Sequence, residues 1–252
     1  MFIAWKAPRL ALAALPLVLV AAVGTLALQP VGVETEAGIA PSPKAGALLS
    51  PMQELVFRFP SAVSEAAVHA LPPVEGSVTS EGNVVSFKPA EPLRPGAVYR
   101  FAVSGTFLDG RRAAAEFSYP VMPLDGELWI YVKLDRVPHE VFVYRGAEPV
   151  RRMTASGGKP GFETPQGTFR IQNRGYHFYS QKYGEGAYYW MRIFGNYLFH
   201  SVPVDVHGRV IQEEAEKLGC PASHGCVRLS FEDAKWLYGN VPDGALVVID
   251  GV

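Results

Sequence analysis

The stretch Leu128-Trp129-Ile130-Tyr131-Val132-Lys133-Leu134 alternates without a break. Leu128, Ile130, Val132 and Leu134 fall on one face of an extended chain, and Trp129, Tyr131 and Lys133 fall on the other, which is the two-residue period of a strand. The same signature recurs on both sides of it. Leu55, Phe57 and Phe59 alternate with Val56 and Arg58, and Val84 to Phe87, Val98 to Val103 and Phe117 to Tyr119 are further short runs. Among the 252 residues, 25 glycines and 21 prolines punctuate these runs, so the chain reads as a turn-rich, mainly β protein.

Met122-Pro123-Leu124-Asp125-Gly126 interrupts the pattern and marks a boundary. Before it, residues 39–120 read as a small β-sandwich, with Ser64 capping a single helical turn through Val68 that Pro72-Pro73 ends. No constellation of catalytic residue types falls in this part. After the boundary, residues 125–250 carry strands at His139 to Tyr144, Val150 to Ala155, Thr168 to Ile171 and Tyr197 to Phe199, and a closing strand at Ala245 to Ile249. Ile211 to Leu218 has a helical pattern stopped by Gly219. Ser230 with Asp233 forms a capping signal for a helix through Tyr238. The aromatic stretch from Tyr176 to Trp190 fits either a flap lining a site or two hairpin strands with outward rings.

The first thirty residues speak to compartment. Lys6 and Arg9 precede an uncharged apolar run from Leu10 to Leu28, 19 residues long, close to the ~20 that span a bilayer as a helix. Residues 1–28 are therefore expected to be a signal anchor or signal peptide, followed by a linker over residues 29–38. An uncleaved membrane helix, with the rest of the chain on the extracytoplasmic face of the cell envelope, is the expected arrangement. The net charge of −1 argues against a nucleic-acid partner, which calls for a basic surface.

The chemistry gathers late in the chain. Cys226 follows Ser223-His224-Gly225, and a thiol near an imidazole is a usual arrangement for nucleophilic catalysis, because the thiolate is the attacking form. Gly225 lets the backbone turn sharply, so the N–H groups of Gly225 and Cys226 are candidate oxyanion donors. Two histidines compete as the base. His200 ends an apolar strand and is rigidly held, whereas His207, in Asp205-Val206-His207-Gly208-Arg209, reads as an exposed turn tip. The other cysteine, Cys220, leaves a disulfide with Cys226 open.

Phe199-His200-Ser201-Val202-Pro203 and Leu218-Gly219-Cys220-Pro221-Ala222-Ser223-His224-Gly225-Cys226-Val227-Arg228-Leu229, with the turn Thr164-Pro165-Gln166-Gly167, resemble the signature of the YkuD-type L,D-transpeptidase catalytic domain. The resemblance covers about residues 125–250 and implies a β-sandwich or barrel with one or two short helices. It implies Cys226 as nucleophile, His200 as base and Ser201 as the residue orienting that base through its carbonyl. Ser223, His224, Gly225 and Arg228 take supporting or substrate-contacting positions. Twenty-two residues separate His200 from Ser223, longer than is usual in the family, and His207 with 15 would fit the usual spacing better. The His-Ser-Val-Pro context favours His200.

The preceding segment resembles bacterial Ig-like modules through Phe57-Arg58-Phe59-Pro60, Phe87-Lys88-Pro89 and Leu93-Arg94-Pro95-Gly96, implying a spacer or docking role. Together the resemblances imply a cell-wall enzyme cross-linking peptidoglycan stem peptides through a Cys226 thioester. They further imply acylation by carbapenems and no metal or organic cofactor. The rival readings are an L,D-carboxypeptidase with water as acceptor, a zinc-binding module using Cys220, His224, Cys226 and His200 or His207, and a non-enzymatic scaffold.

Overall fold

A computed structural model describes residues 38–251, in which sixteen strands and two helices are found. The N-terminal part is made of seven strands: β1 (Ala40–Ser42), β2 (Leu55–Arg58), β3 (Val63–Leu71), β4 (Gly76–Glu81), β5 (Val84–Pro89), β6 (Val98–Phe107) and β7 (Arg112–Pro120). They form a four-stranded sheet in the order β1-β2-β5-β4 and a three-stranded sheet in the order β3-β6-β7. The alternation seen in sequence is the alternation of burial. Along β6 every second residue, Tyr99, Phe101, Val103, Gly105 and Phe107, is buried. Phe57, Phe59, Phe101, Tyr119, Leu49 and Leu93 fill the core between the two sheets.

Nine strands build the rest: β8 (Leu128–Lys133), β9 (Glu140–Arg145), β10 (Glu148–Ser156), β11 (Gly167–Arg170), β12 (Arg174–Ser180), β13 (Glu185–Phe194), β14 (Tyr197–Ser201), β15 (Val227–Leu229) and β16 (Leu246–Asp250). They form one curled sheet in the order β11-β16-β8-β9-β10-β15-β14-β13-β12. Helix α1 (Gln212–Ala215) precedes β15, and α2 (Phe231–Asn240) follows it. Ser230 caps α2, its Oγ accepting the Asp233 N–H at 3.0 Å. Ala234 and Leu237 of α2 pack with Ile130, Val132, Phe199 and Val227 on the concave side of the sheet.

The outer face of β8 and β16 carries a second apolar layer, in which Trp129, Tyr131, Leu246 and Val248 pack with Met52 and Leu124. Burying such a side chain contributes ~1.5–3 kcal/mol, so this layer fastens the sandwich to the sheet. Lys88 pairs with Asp250 at 2.6 Å across the same seam, and the Tyr131 hydroxyl donates to Asp250 at 3.1 Å. Residues 38–251 accordingly fall within one compact unit.

Five expectations are corrected. The membrane helix expected over residues 10–28 lies outside the described residues, as does nearly all of the linker over residues 29–38. Among the described residues no helix is long and apolar enough to cross a membrane. Among the described residues the fold class is mainly β, and the membrane partner and membrane-anchored location drawn from that helix find no support there. The turn Ser64 to Val68 is not helical but part of strand β3, because its backbone pairs with β6 through eight residues, from Val63↔Phe107 to Leu71↔Arg100. The C-terminal sheet is a single curled sheet, not a sandwich or closed barrel. Strands β1 and β4 had no sequence signal: β1 is three residues long, and every residue of β4 is exposed.

Candidate active site

Strands β14 and β15 are parallel neighbours, with Phe199↔Val227, His200↔Arg228 and Ser201↔Leu229 in register. A parallel pair needs a crossover, and residues 202–226 supply it, so the segment entering β15 arrives beside β14 from outside the sheet. Phe199 and Val227 point into the core. By alternation Leu198, His200, Cys226 and Arg228 share the opposite face. All four line one cavity of about 660 Å³.

His200 is almost wholly buried, at 5% exposure. Its Nδ1 lies 2.7 Å from the Ser201 carbonyl oxygen. A carbonyl only accepts, so Nδ1 carries the proton and Nε2 is left as a free base. Burial pulls the imidazole pKa down to about 4, against the Ser201 bond, and the Arg228 cation adds to the lowering. His200 is therefore neutral at physiological pH. Phe178 of β12 presses edge-on against its ring at 5.7 Å, and Ser201 is itself fixed, its Oγ accepting the Tyr188 N–H at 3.0 Å and donating to the Val202 carbonyl at 2.8 Å.

Cys226 is half-buried, with Sγ 3.6 Å from the Asn196 carbonyl. Burial pushes its thiol pKa up, and Glu185 adds to this, while a backbone hydrogen bond with Leu198 and the charge of Arg228 work the other way. The thiol of Cys226 and the neutral imidazole of His200 thus line the same cavity. The turn before it is tied by Ser223, whose Oγ donates to the Cys226 carbonyl at 2.6 Å and accepts the Gly225 N–H at 2.9 Å. Gly225, expected as an oxyanion donor, has its N–H engaged with Ser223 Oγ in this structure. Its own requirement is steric: φ is +111°, and a Cβ would lie 2.5 Å from Tyr197 Cε1. His224 is gripped between Tyr183, stacked at 4.4 Å, and Phe162, edge-on at 5.0 Å. Burial and the nearby Lys159 lower its pKa.

Arg228 is 3% exposed and held from two sides, by Glu185 of β13 at 2.9 Å and by Glu214 of α1. Both carboxylates were missed in sequence, because they stand 43 and 14 residues away and only the fold brings them to the guanidinium. The aromatic stretch proves to be both things that its sequence allowed. Phe178, Tyr183 and Trp190 line the cavity, while Tyr188 and Tyr189 pack against Phe231 at the head of α2.

His207 stays out of the cavity lining, on a turn where Asp205 Oδ1 accepts the N–H groups of His207 and Arg209 at 2.8 and 2.9 Å. Cys220 is an exposed free thiol, and Cys226 is also free. The zinc set does not assemble: among the described residues no three His, Cys, Asp or Glu side chains gather in a group that could hold a metal.

The L,D-transpeptidase catalytic domain profile (YkuD) matches residues 128–249. A curated relative, the "Putative L,D-transpeptidase YciB" of Bacillus subtilis (strain 168), is 42% identical over 128 residues, covering 48% of this chain and 65% of the relative. The chain thus spans less than two thirds of that relative's length. Among solved structures, an L,D-transpeptidase from Mycobacterium smegmatis aligns over 84% of this chain and 98% of its own, with 21% identity and a TM-score of 0.42. One from Mycobacterium tuberculosis H37Rv aligns over 84% and 97%, with 20% identity and a TM-score of 0.40. The profile match falls on the segment that holds His200 and Cys226, and residues 128–249 of this chain form a YkuD-type L,D-transpeptidase catalytic domain.

Proposed function

We propose that the chain is a cysteine-dependent L,D-transpeptidase that acts on peptidoglycan stem peptides. The observation that carries this reading is the His200 Nδ1 bond to the Ser201 carbonyl at 2.7 Å, which leaves Nε2 as a free base on the sheet face shared with Cys226. As Cys226 Sγ attacks the carbonyl carbon of the L-centre residue, His200 Nε2 takes the thiol proton. The carbonyl π electrons move to oxygen, and the Cys226 N–H is the remaining loop donor for that oxyanion. Collapse breaks the C–N bond. The departing nitrogen of the terminal D-amino acid takes the proton from His200, and an acyl thioester stays on Cys226.

In the second half, an amine of another stem attacks the thioester carbonyl. His200 accepts the amine proton, the C–S bond breaks, and the sulfur regains a proton from His200. Ser201 orients the base, Ser223 and Gly225 set the turn, and Arg228 lends positive charge beside the thiol. Residues 39–120 form a spacer module fastened to the catalytic sheet, and residues 125–250 are the catalytic domain.

Incubation with stem tetrapeptides, followed by mass analysis, tests the reading. A product pair comprising free D-amino acid and a cross-linked dimer is expected. Tripeptide alone would make water the acceptor and the chain an L,D-carboxypeptidase; unchanged tetrapeptide would defeat the proposal.

A further inference from the structure

His139 is a buried titratable group, 4% exposed, that no step above uses. It stands at the entry to β9, and its backbone bonds the segment that delivers Cys226 directly, while its ring reaches that segment through Gly157. The His139 N–H donates to the Gly219 carbonyl at 2.8 Å. Its ring Nδ1 accepts the Gly157 N–H at 3.0 Å, so Nδ1 is unprotonated and the ring proton sits on Nε2. Gly157 in turn offers its carbonyl to two consecutive donors, the N–H groups of Ala222 and Ser223, each at 3.0 Å. Ser223 then closes the turn on the Cys226 carbonyl and the Gly225 N–H.

Each link has little room to move. A Cβ on Gly157 would lie 2.7 Å from Leu134 Cδ1, and one on Gly158 would lie 1.9 Å from the Phe162 carbonyl oxygen. Gly158 is further tied through its N–H to Thr164 Oγ1 at 2.9 Å. One carbonyl shared by two N–H groups fixes a direction as well as a distance. The direction of the Gly157 peptide therefore sets that of Ala222 and Ser223.

We infer that His139 is a positioning residue for the reaction: its ring nitrogen fixes Gly157, and through Gly157 the Ala222–Ser223 segment that aims Cys226. What matters is an acceptor at the Nδ1 position, not an imidazole. The inference rests on Cys226 being the nucleophile, as proposed above.

The test measures the rate of covalent acylation of the full chain by a carbapenem, read by intact mass, in wild type, His139→Asn and His139→Leu. Asparagine can place its side-chain oxygen where Nδ1 accepts, whereas leucine has similar bulk and no acceptor. Acylation within about 3-fold of wild type for asparagine, against a loss of about 10-fold or more for folded leucine, is expected. Equal losses in both folded variants, or a folded leucine variant with the wild-type rate, overturn the inference. Amide hydrogen exchange of the asparagine variant gives a reading that does not depend on leucine folding. Ala222 and Ser223 should keep their wild-type protection, and wild-type acylation with that protection lost would also overturn it. A wild type that takes no adduct sinks the nucleophile reading and this inference together. A reactive wild type with rates indifferent to position 139 sinks this inference alone.

Discussion

Arg228 and His200 are direct partners across the parallel pair β14–β15, so a buried guanidinium stands beside the base on the face that also carries Cys226. The cation has two effects. It helps to keep His200 unprotonated, and it draws the Cys226 thiol towards ionisation against the effect of burial. Glu185 and Glu214 hold it there from a strand and a helix that are otherwise separate.

Glu214→Gln removes one of two carboxylates from a buried cation, and a buried charged donor left poorly satisfied costs about 1–3 kcal/mol. Chemical denaturation should show a loss in this range, at the low end because Glu214 retains some solvent access. An unchanged midpoint would mean that Arg228 does not depend on Glu214.

Acid should unfold the protein through its buried histidine. The folded pKa of His200 is about 4, below the ordinary value of about 6.5. Between these values the unfolded chain binds more protons than the folded one, so stability is full above pH 6.5 and is lost as pH falls towards 4, by roughly 3 kcal/mol from this residue alone. His139 and His224 shift in the same direction. Denaturation at a series of pH values should show this slope, reduced in His200→Asn. The acylation rate should keep its base-dependent activity well below pH 6.5. A rate limb near 6.5 would place a different, exposed group in control.

Gly225→Ala should disable the site without loss of any side-chain function. Its φ of +111° and the 2.5 Å approach to Tyr197 oppose a methyl group, and strain of this kind costs about 1–3 kcal/mol. A sharp fall in acylation with a folded circular dichroism spectrum is expected; wild-type acylation would show that the turn tolerates a side chain.

Ser230→Ala supplies a contrast far from the chemistry. Losing the cap on the Asp233 N–H should cost about 1 kcal/mol, with little change in acylation rate. A large catalytic loss would imply that α2 communicates with the cavity.

Much of this was legible in the sequence because it was local. The alternation at Leu128 to Leu134, the Ser230 cap and the Ser-His-Gly-Cys turn each lie within a few residues, and each appears in the fold where its pattern put it. His200 and His207 read differently in the sequence because one ends an apolar strand and the other sits in a polar, glycine-containing turn. What depended on distant pairing was not legible. Ser64 to Val68 has helical residues but is claimed by β6. Glu185, Glu214 and His139 are ordinary polar residues until the sheet closes around them. The Gly225 N–H looked free because nothing in a sequence shows that Ser223 Oγ folds back to take it.

Cys226 and His200 work together in the proposed reaction. Intact-mass analysis after exposure to a carbapenem, on wild type and on Cys226→Ala, His200→Ala and His207→Ala, measures this most directly. One adduct on wild type and on His207→Ala is predicted, with none on Cys226→Ala and a rate reduced about 10²–10⁴-fold for His200→Ala. An adduct that survives Cys226→Ala, or a rate that collapses with His207→Ala while His200→Ala reacts normally, would contradict it.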